Sequence, residues 1–251
     1  MTDTADLLDL CHHLGQPARD LVVATEGNVS MRVDDTRMLI KASGRSMETM
    51  TEQDLLLVDR TRIMTLLASD TDSDERIAAV YRDSVLSTTG TPSVEAILHA
   101  VIYDLTDAQV VAHTHPVAIN AILCSTAPEL LVAGDLFPDH VVALGSRRLL
   151  VPYVDPGVPL ARAVRRGLED FYREYGYAPR VIYLVNHGLV VLAGSTSEAG
   201  AITAMAVKAA RVLHGTLAAG GPAFLPADQV ARIEGRPDEQ YRRTILGKDM
   251  R

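Results

Sequence analysis

Apolar and polar positions along the chain alternate between two periods, one near two residues and one near 3.6, and the exchange of one for the other predicts the order of elements. Residues 4–14 read as a helix. "LVVATEGNVSMRV" (21–33) reads as a strand, a turn at Gly27-Asn28 and a second strand, and "RMLIKASG" (37–44) as a strand ending at Gly44. "DLLLVDRTRIMTLLAS" continues as strand, and the acidic, Ser/Thr-rich stretch from Ser69 to Thr91 reads as a surface excursion. Val94, Ile97, Leu98, Val101, Ile102 and Leu105 then recur at helical spacing, predicting an amphipathic helix that begins near Pro92-Ser93, with Glu95 and His99 four apart at its start. "AQVVAHTH" reads as a buried strand, with Pro116 in the first turn of the helix "PVAINAILCS". "RRLLVPYV" is a strand and "PLARAVRRGLEDFYREYG" a helix closed by Gly176; "RVIYLVNHGLVVLAG" is a hairpin around Asn186-His187-Gly188, and "SEAGAITAMAVKAARVLHGTL" a long helix. With no internal repeat or linker, the pattern predicts one mixed α/β domain over residues 1–251, its core at about 7–217 and a charged tail at about 222–251.

Composition narrows the function classes. With 251 residues, 47% of them hydrophobic, the chain can bury a substantial core. A net charge of −8, no Trp and 4% aromatics argue against a nucleic-acid partner, because phosphate is repelled and stacking surface is scarce. No run approaches the ~20 apolar residues of a membrane helix. "MTDTADLLDLCHHLG" places acids ahead of an amphipathic run, so no secretory signal is expected and a cytoplasmic location follows. Cys11 and Cys124 form no framework and read as two buried thiols. Met47, Met50, Arg147-Arg148 and the arginines at 162, 165 and 166 read as core filler and solvated faces, and His12-His13 as surface.

The chemistry begins at "VVAHTHPVAIN". Residues two apart on a strand share a face, so His113 and His115 project into one space, a geometry suited to a metal ion. An isolated pair of this kind is more often a pair of hydrogen-bonded core histidines. His187, in the turn of the predicted hairpin, is the candidate third ligand, since catalytic zinc keeps three protein ligands and an open position.

Four blocks in order, "TEGNVSMRV", "IKASG", "PSVEAILHAVIYDLTDAQVVAHTHPVAIN" and "VNHGLVVLAGSTSEA", resemble the class II aldolase and adducin family from about Leu7 to Leu217. The resemblance implies a three-layer α/β/α sandwich around a central mixed, largely antiparallel sheet. It implies a zinc site at His113, His115 and His187, with another divalent cation such as manganese or cobalt as a substitute, and Glu95 as the acid that moves a proton beside it. Gly27, Asn28, Ser43, Gly44 and Ser93 match the positions that hold a substrate phosphate. Alone, each of these has a plainer reading as turn, loop or helix cap. The implied activity is reversible aldol cleavage of a small sugar phosphate to dihydroxyacetone phosphate and an aldehyde, by a homotetramer with sites at subunit boundaries. Epimerase, dehydratase and decarboxylase chemistry, and a non-catalytic adducin-like module, are the alternatives within the same resemblance.

Two departures bear on the substrate. Val94 stands where many relatives have a second serine, and Glu26 places a carboxylate where phosphate would be repelled unless the side chain faces elsewhere. Lys41 or Arg45, flanking Ser43-Gly44, could offset that charge, although an exposed strand lysine is the commoner explanation of Lys41. The tyrosine that some aldolases donate from a neighbouring subunit has no clear counterpart; His140, Asp139 and Tyr241 are the candidates to replace it.

Overall fold

Successive side chains along the central strands part to opposite faces, and each face carries its own apolar cluster. Val29, Met31, Val110, Ala112, Leu189 and Val191 belong to one; Met38, Ile40, Val111, Ile182, Val190 and Leu192 belong to the other. This two-sided burial requires cover on both faces, so the sheet sits between two helical layers. The computed structural model describes residues 4–68, 73–87 and 90–236.

In chain order the elements are α1 (Thr4–Gly15), β1 (Asn28–Arg32), β2 (Arg37–Lys41), β3 (Leu55–Asp59), α2 (Arg60–Met64), α3 (Asp74–Ser84), α4 (Ala96–Leu105), β4 (Val110–Thr114), α5 (Val117–Leu123), α6 (Pro138–Leu144), β5 (Leu149–Val151), α7 (Val158–Tyr175), β6 (Val181–Leu184), β7 (Gly188–Ala193), α8 (Thr196–Ala218) and α9 (Ala227–Glu234). The seven strands lie in the order β3-β2-β1-β4-β7-β6-β5. Every pairing is antiparallel except β5 with β6, so the sheet is mixed and largely antiparallel, as expected. Helices α1, α5, α6 and α8 cover one face and α2, α3, α4 and α7 the other. Burying a leucine or isoleucine in either cluster contributes about 1.5–3 kcal/mol.

Several local expectations are corrected. Residues 21–25 form no strand: Asp20 and Ala24 both have φ of 54°, which breaks an extended run at each end, and the segment instead crosses the start of α5, where Leu21 O accepts from His115 N at 2.8 Å. The strand predicted through residue 69 ends at Asp59, whose carboxylate accepts from Thr61 N and Arg62 N and so caps α2. The expected surface excursion is mostly exposed where it is described, but it contains the unforeseen α3, whose Tyr81 is buried and donates its hydroxyl to Val94 O at 2.7 Å. Pro116 is the cap of α5 and lies before its first turn. Helix α4 is buried from Ala96 to Tyr103 and is amphipathic only in a limited sense, being enclosed by the sheet on one side and α2 and α7 on others.

Cys11 is buried, and that burial pushes its thiol up to about 12; Cys124 is exposed, contrary to expectation. Arg148 is also buried, paired with Asp135 at 2.6 Å. His12 is half-buried and bonds Met50 O at 2.8 Å. Met47 and Met50 are core residues. Among the described residues no helix is long and apolar enough to cross a membrane. The predicted charged tail contributes α9; the part from 237 onwards, with Tyr241, lies outside the described residues.

Candidate metal centre and its surroundings

Strand β4 ends at Thr114, so His113 is the last inward-facing residue of its face and His115 follows just past the strand end. In the adjacent register Asn28 of β1 lies opposite His113, and Val190 of β7 lies opposite it on the other side. The β6–β7 hairpin brings in His187 through Asn186, which takes φ of 56°, a left-handed conformation that asparagine tolerates. The three rings meet with centroids 4.7, 4.9 and 5.1 Å apart. One ligand atom from each lies within 4.8 Å of the others.

The donor chemistry fits a divalent cation. His113 Nδ1 faces Leu189 O at 3.0 Å, so it carries the proton and leaves the Nε2 lone pair directed at the cluster. His113 Nε2 and His115 Nε2 face one another at 2.9 Å, near the ~3.3 Å edge of a tetrahedron whose zinc–nitrogen bonds are ~2.05 Å. Gly188 gives the rings their room: a Cβ there would stand 2.5 Å from Thr114 O and 2.7 Å from His115 Cδ2. His115 is driven down to about 3 by burial and by the neighbouring His113 and His187, a direction that favours the neutral imidazole a metal would need.

Glu95 sits at the N-terminal cap position of α4, almost wholly buried. Its Oε2 is 3.2 Å from His113 Nε2 and its Oε1 3.0 Å from His187 Nε2. Burial pushes this carboxyl up, but the facing His113 and His187 more than reverse the effect and hold it below the usual carboxylate range. Conversely, burial opposes a proton on His113 while Glu95 favours one, and the net direction is upward. Glu95 and the two histidines it faces thus compensate one another's charge.

The glycine and serine positions converge on the same corner. Asn28 Nδ2 donates to Glu95 Oε2 at 2.9 Å and to Ser93 Oγ at 3.2 Å. Ser43 N donates to Thr91 O at 2.8 Å, which ties the Ser43-Gly44 turn to the segment carrying Ser93. Gly27 and Gly44 have φ of 67° and 72°; a Cβ on Gly27 would press His113 O at 2.7 Å, whereas Gly44 faces open space. Beneath them Lys41 is buried and donates to Arg45 O at 2.6 Å and Thr25 O at 3.2 Å, joining the turn before Gly27 to the turn after Gly44. Lys41 is therefore no exposed strand residue, and Arg45 is paired with Asp54 at 2.9 Å. Glu26 is directed at the histidine side of this corner: its Oε2 accepts from Val23 N at 2.9 Å and lies 3.7 Å from His115 Nδ1. His140 and Asp139 lie on α6, and the His140 ring is engaged with Leu136 N and Asp135, not with the histidine cluster.

A family model for the class II aldolase and adducin N-terminal domain matches residues 5–214. The chain belongs to this family. As a class II aldolase-family protein it is 28% identical over 190 residues to methylthioribulose-1-phosphate dehydratase of Geobacillus kaustophilus, covering 72% of this chain and 78% of that one. It is 24% identical over 239 residues to 3-oxo-tetronate 4-phosphate decarboxylase of Haemophilus influenzae, covering 94% and 99%. A solved L-fuculose 1-phosphate aldolase superposes with a TM-score of 0.71 at 19% identity over 95% of each chain, a likeness of fold. The expected sandwich is thus the observed one, and the protein is an enzyme-family member with a three-histidine group able to hold a metal.

Three polar residues went unread as a group in the sequence: Ser30, His99 and Tyr103. The signal was present, because Glu95, His99 and Tyr103 are four apart on one helix and Asn28 and Ser30 two apart on one strand.

Proposed function

We propose that this family member is a divalent-metal-dependent lyase that cleaves a small ketose phosphate by a reversible aldol reaction, giving dihydroxyacetone phosphate and an aldehyde. The observation that carries this reading is Glu95, whose two carboxylate oxygens lie 3.2 and 3.0 Å from His113 and His187, two rings of the group that can take the cation. A divalent cation on His113, His115 and His187, zinc in the first instance, supplies Lewis-acid polarisation of a substrate carbonyl. Glu95 moves a proton at the carbon next to that carbonyl, delivering it after cleavage and removing it in condensation. Gly27, Asn28, Ser43, Gly44 and Ser93 hold the phosphate through backbone N–H and side-chain donors, with Lys41 fixing the two turns that present them. Glu26 faces His115 and its own turn, where the Val23 N–H and the His115 ring stand against its charge.

The second reading keeps the site and changes the outcome. The names of these two relatives, a dehydratase and a decarboxylase of phosphorylated substrates, favour loss of water after proton removal at carbon, or loss of carbon dioxide followed by protonation of that carbon. Product analysis decides between them. Zinc-loaded protein is incubated with dihydroxyacetone phosphate and a panel of aldehydes, and separately with phosphorylated ketoses and keto acids. Carbon–carbon condensation abolished by Glu95→Gln supports the aldolase; water or carbon dioxide release without condensation replaces it with the second reading. Light scattering tests the expected homotetramer.

A further inference from the structure

Behind Glu95 runs a buried line of polar groups of which only Asn28, at its front, has a role above. Asn28, Ser30, His99 and Tyr103 are each no more than 2% exposed, in a layer otherwise made of apolar side chains. Tyr103 OH lies 2.9 Å from Ser30 Oγ, Ser30 Oγ 2.6 Å from His99 Nδ1, and His99 Nε2 makes a short hydrogen bond with Asn28 Oδ1. Asn28 then donates both amide hydrogens, to Glu95 Oε2 and Ser93 Oγ. Four buried polar side chains at this depth would each cost stability if left unpaired, so their pairing has a definite pattern.

That pattern has one direction. The carboxylate can only accept, so the amide of Asn28 must present nitrogen to it and oxygen to His99. His99 must then donate from Nε2 and, as a neutral ring, accept at Nδ1 from Ser30, which in turn accepts from Tyr103. Reversing the amide would set its oxygen against Glu95 and its hydrogens against the His99 N–H, two repulsions at once. Glu95 and Ser93 engage the nitrogen end of the amide, and among the described residues His99 Nε2 is the partner of its oxygen end.

We propose that His99, held in its Nε2-protonated neutral form by Ser30 and Tyr103, is a positioning residue that fixes which end of the Asn28 amide meets Glu95. Glu95 is thereby held by one donor on Oε2 and kept at a single rotamer beside the histidine cluster. The consequence for turnover rests on the reading of Glu95 as the proton-moving acid; the arrangement itself does not.

The test has two arms. Long-range proton–nitrogen NMR on histidine-labelled, zinc-loaded protein, with His99 assigned by its loss in His99→Gln, is expected to show the neutral Nε2–H form, and Ser30→Ala is expected to shift the Nδ1 resonance of that ring. A wild-type His99 protonated on Nδ1, or on both nitrogens, overturns the proposal whatever reaction the protein performs. In the second arm, His99→Leu removes the donor to Asn28 and His99→Gln retains one. On the substrate found by product analysis, His99→Leu is expected to lower kcat roughly tenfold to a hundredfold, with KM changed less than about twofold and one zinc still bound. His99→Gln is expected to restore most of kcat. Equal kcat in all three proteins, or equal loss in both variants, overturns the positioning role. Should His99→Leu fail to fold, Ser30→Ala, remote from Glu95, carries the same kcat comparison: unchanged kcat with an unchanged His99 spectrum sinks the proposal.

Discussion

His113 and Leu189 are joined across the β4–β7 pairing by a hydrogen bond of 3.0 Å from the imidazole Nδ1 to the carbonyl. This bond engages Nδ1 with the strand, so the ring is oriented with Nε2 toward Glu95 and the histidine cluster. Substituting His113, His115 or His187 with alanine is expected to reduce bound zinc from one equivalent to near zero. Loss of Lewis-acid assistance worth several kcal/mol lowers turnover at least about a hundredfold. Elemental analysis of the purified variants beside the wild type checks it; full metal retention in any one removes that residue from the ligand set.

Glu95→Gln separates proton transfer from metal binding. The amide is isosteric and its oxygen still accepts from Asn28, while the negative charge facing His113 and His187 is removed and the three imidazoles themselves remain in place. Turnover is expected to fall about 10²–10⁴-fold while zinc content stays at one equivalent. Steady-state kinetics with parallel metal analysis reads both, and activity near that of the wild type would move the proton transfer to another group.

Gly188→Ala tests the packing that permits two rings to share the corner. The added methyl would meet Thr114 O at 2.5 Å and His115 Cδ2 at 2.7 Å, and the first of these is backbone that cannot move cheaply. The expected outcome is a loss of about 1–3 kcal/mol in stability together with weaker zinc binding. Denaturant titration with and without zinc measures both; a variant that binds zinc as the wild type does would show that the ring of His115 rotates freely.

The sequence announced the site more fully than the chain between its parts. His113 and His115 were legible because strand alternation alone places them together, and Glu95 and His187 because they fall in blocks whose order resembles the family. Residues 21–25 and 60–68 were misread since apolar composition says nothing of φ, and it was Asp20 and Ala24 at positive φ and the Asp59 cap that decided their course. Charge placement was the least legible property. Lys41, Arg148 and Glu26 each look like surface residues by type, yet Lys41 staples two turns through carbonyl oxygens, Arg148 lies buried against Asp135, and Glu26 faces His115. Those choices depend on which backbone carbonyls and counter-charges the fold brings near, which no local pattern encodes.

His140 gives a prediction independent of the metal site. Its Nδ1 accepts from Leu136 N at 3.2 Å, its Nε2 is buried without a hydrogen-bond partner, and Arg148 is fixed nearby by Asp135. Burial, and then the Arg148 charge, drive this imidazole down to about 3 from an ordinary value of 6.5. Between those values the unfolded chain binds a proton that the folded protein does not, so stability falls as the pH is lowered from 6.5 towards 3. The buried Asp135, raised by its own burial, has the opposite dependence: its folded form holds a proton longer, which favours folding at the acid side. Because Asp135 is present in both proteins, comparing the wild type with His140→Phe isolates the histidine. The wild type is expected to lose on the order of 3 kcal/mol more than His140→Phe between pH 6.5 and pH 4. Urea unfolding of metal-free wild type and variant across that range measures the difference, and parallel curves would mean that His140 takes up its proton in the folded state.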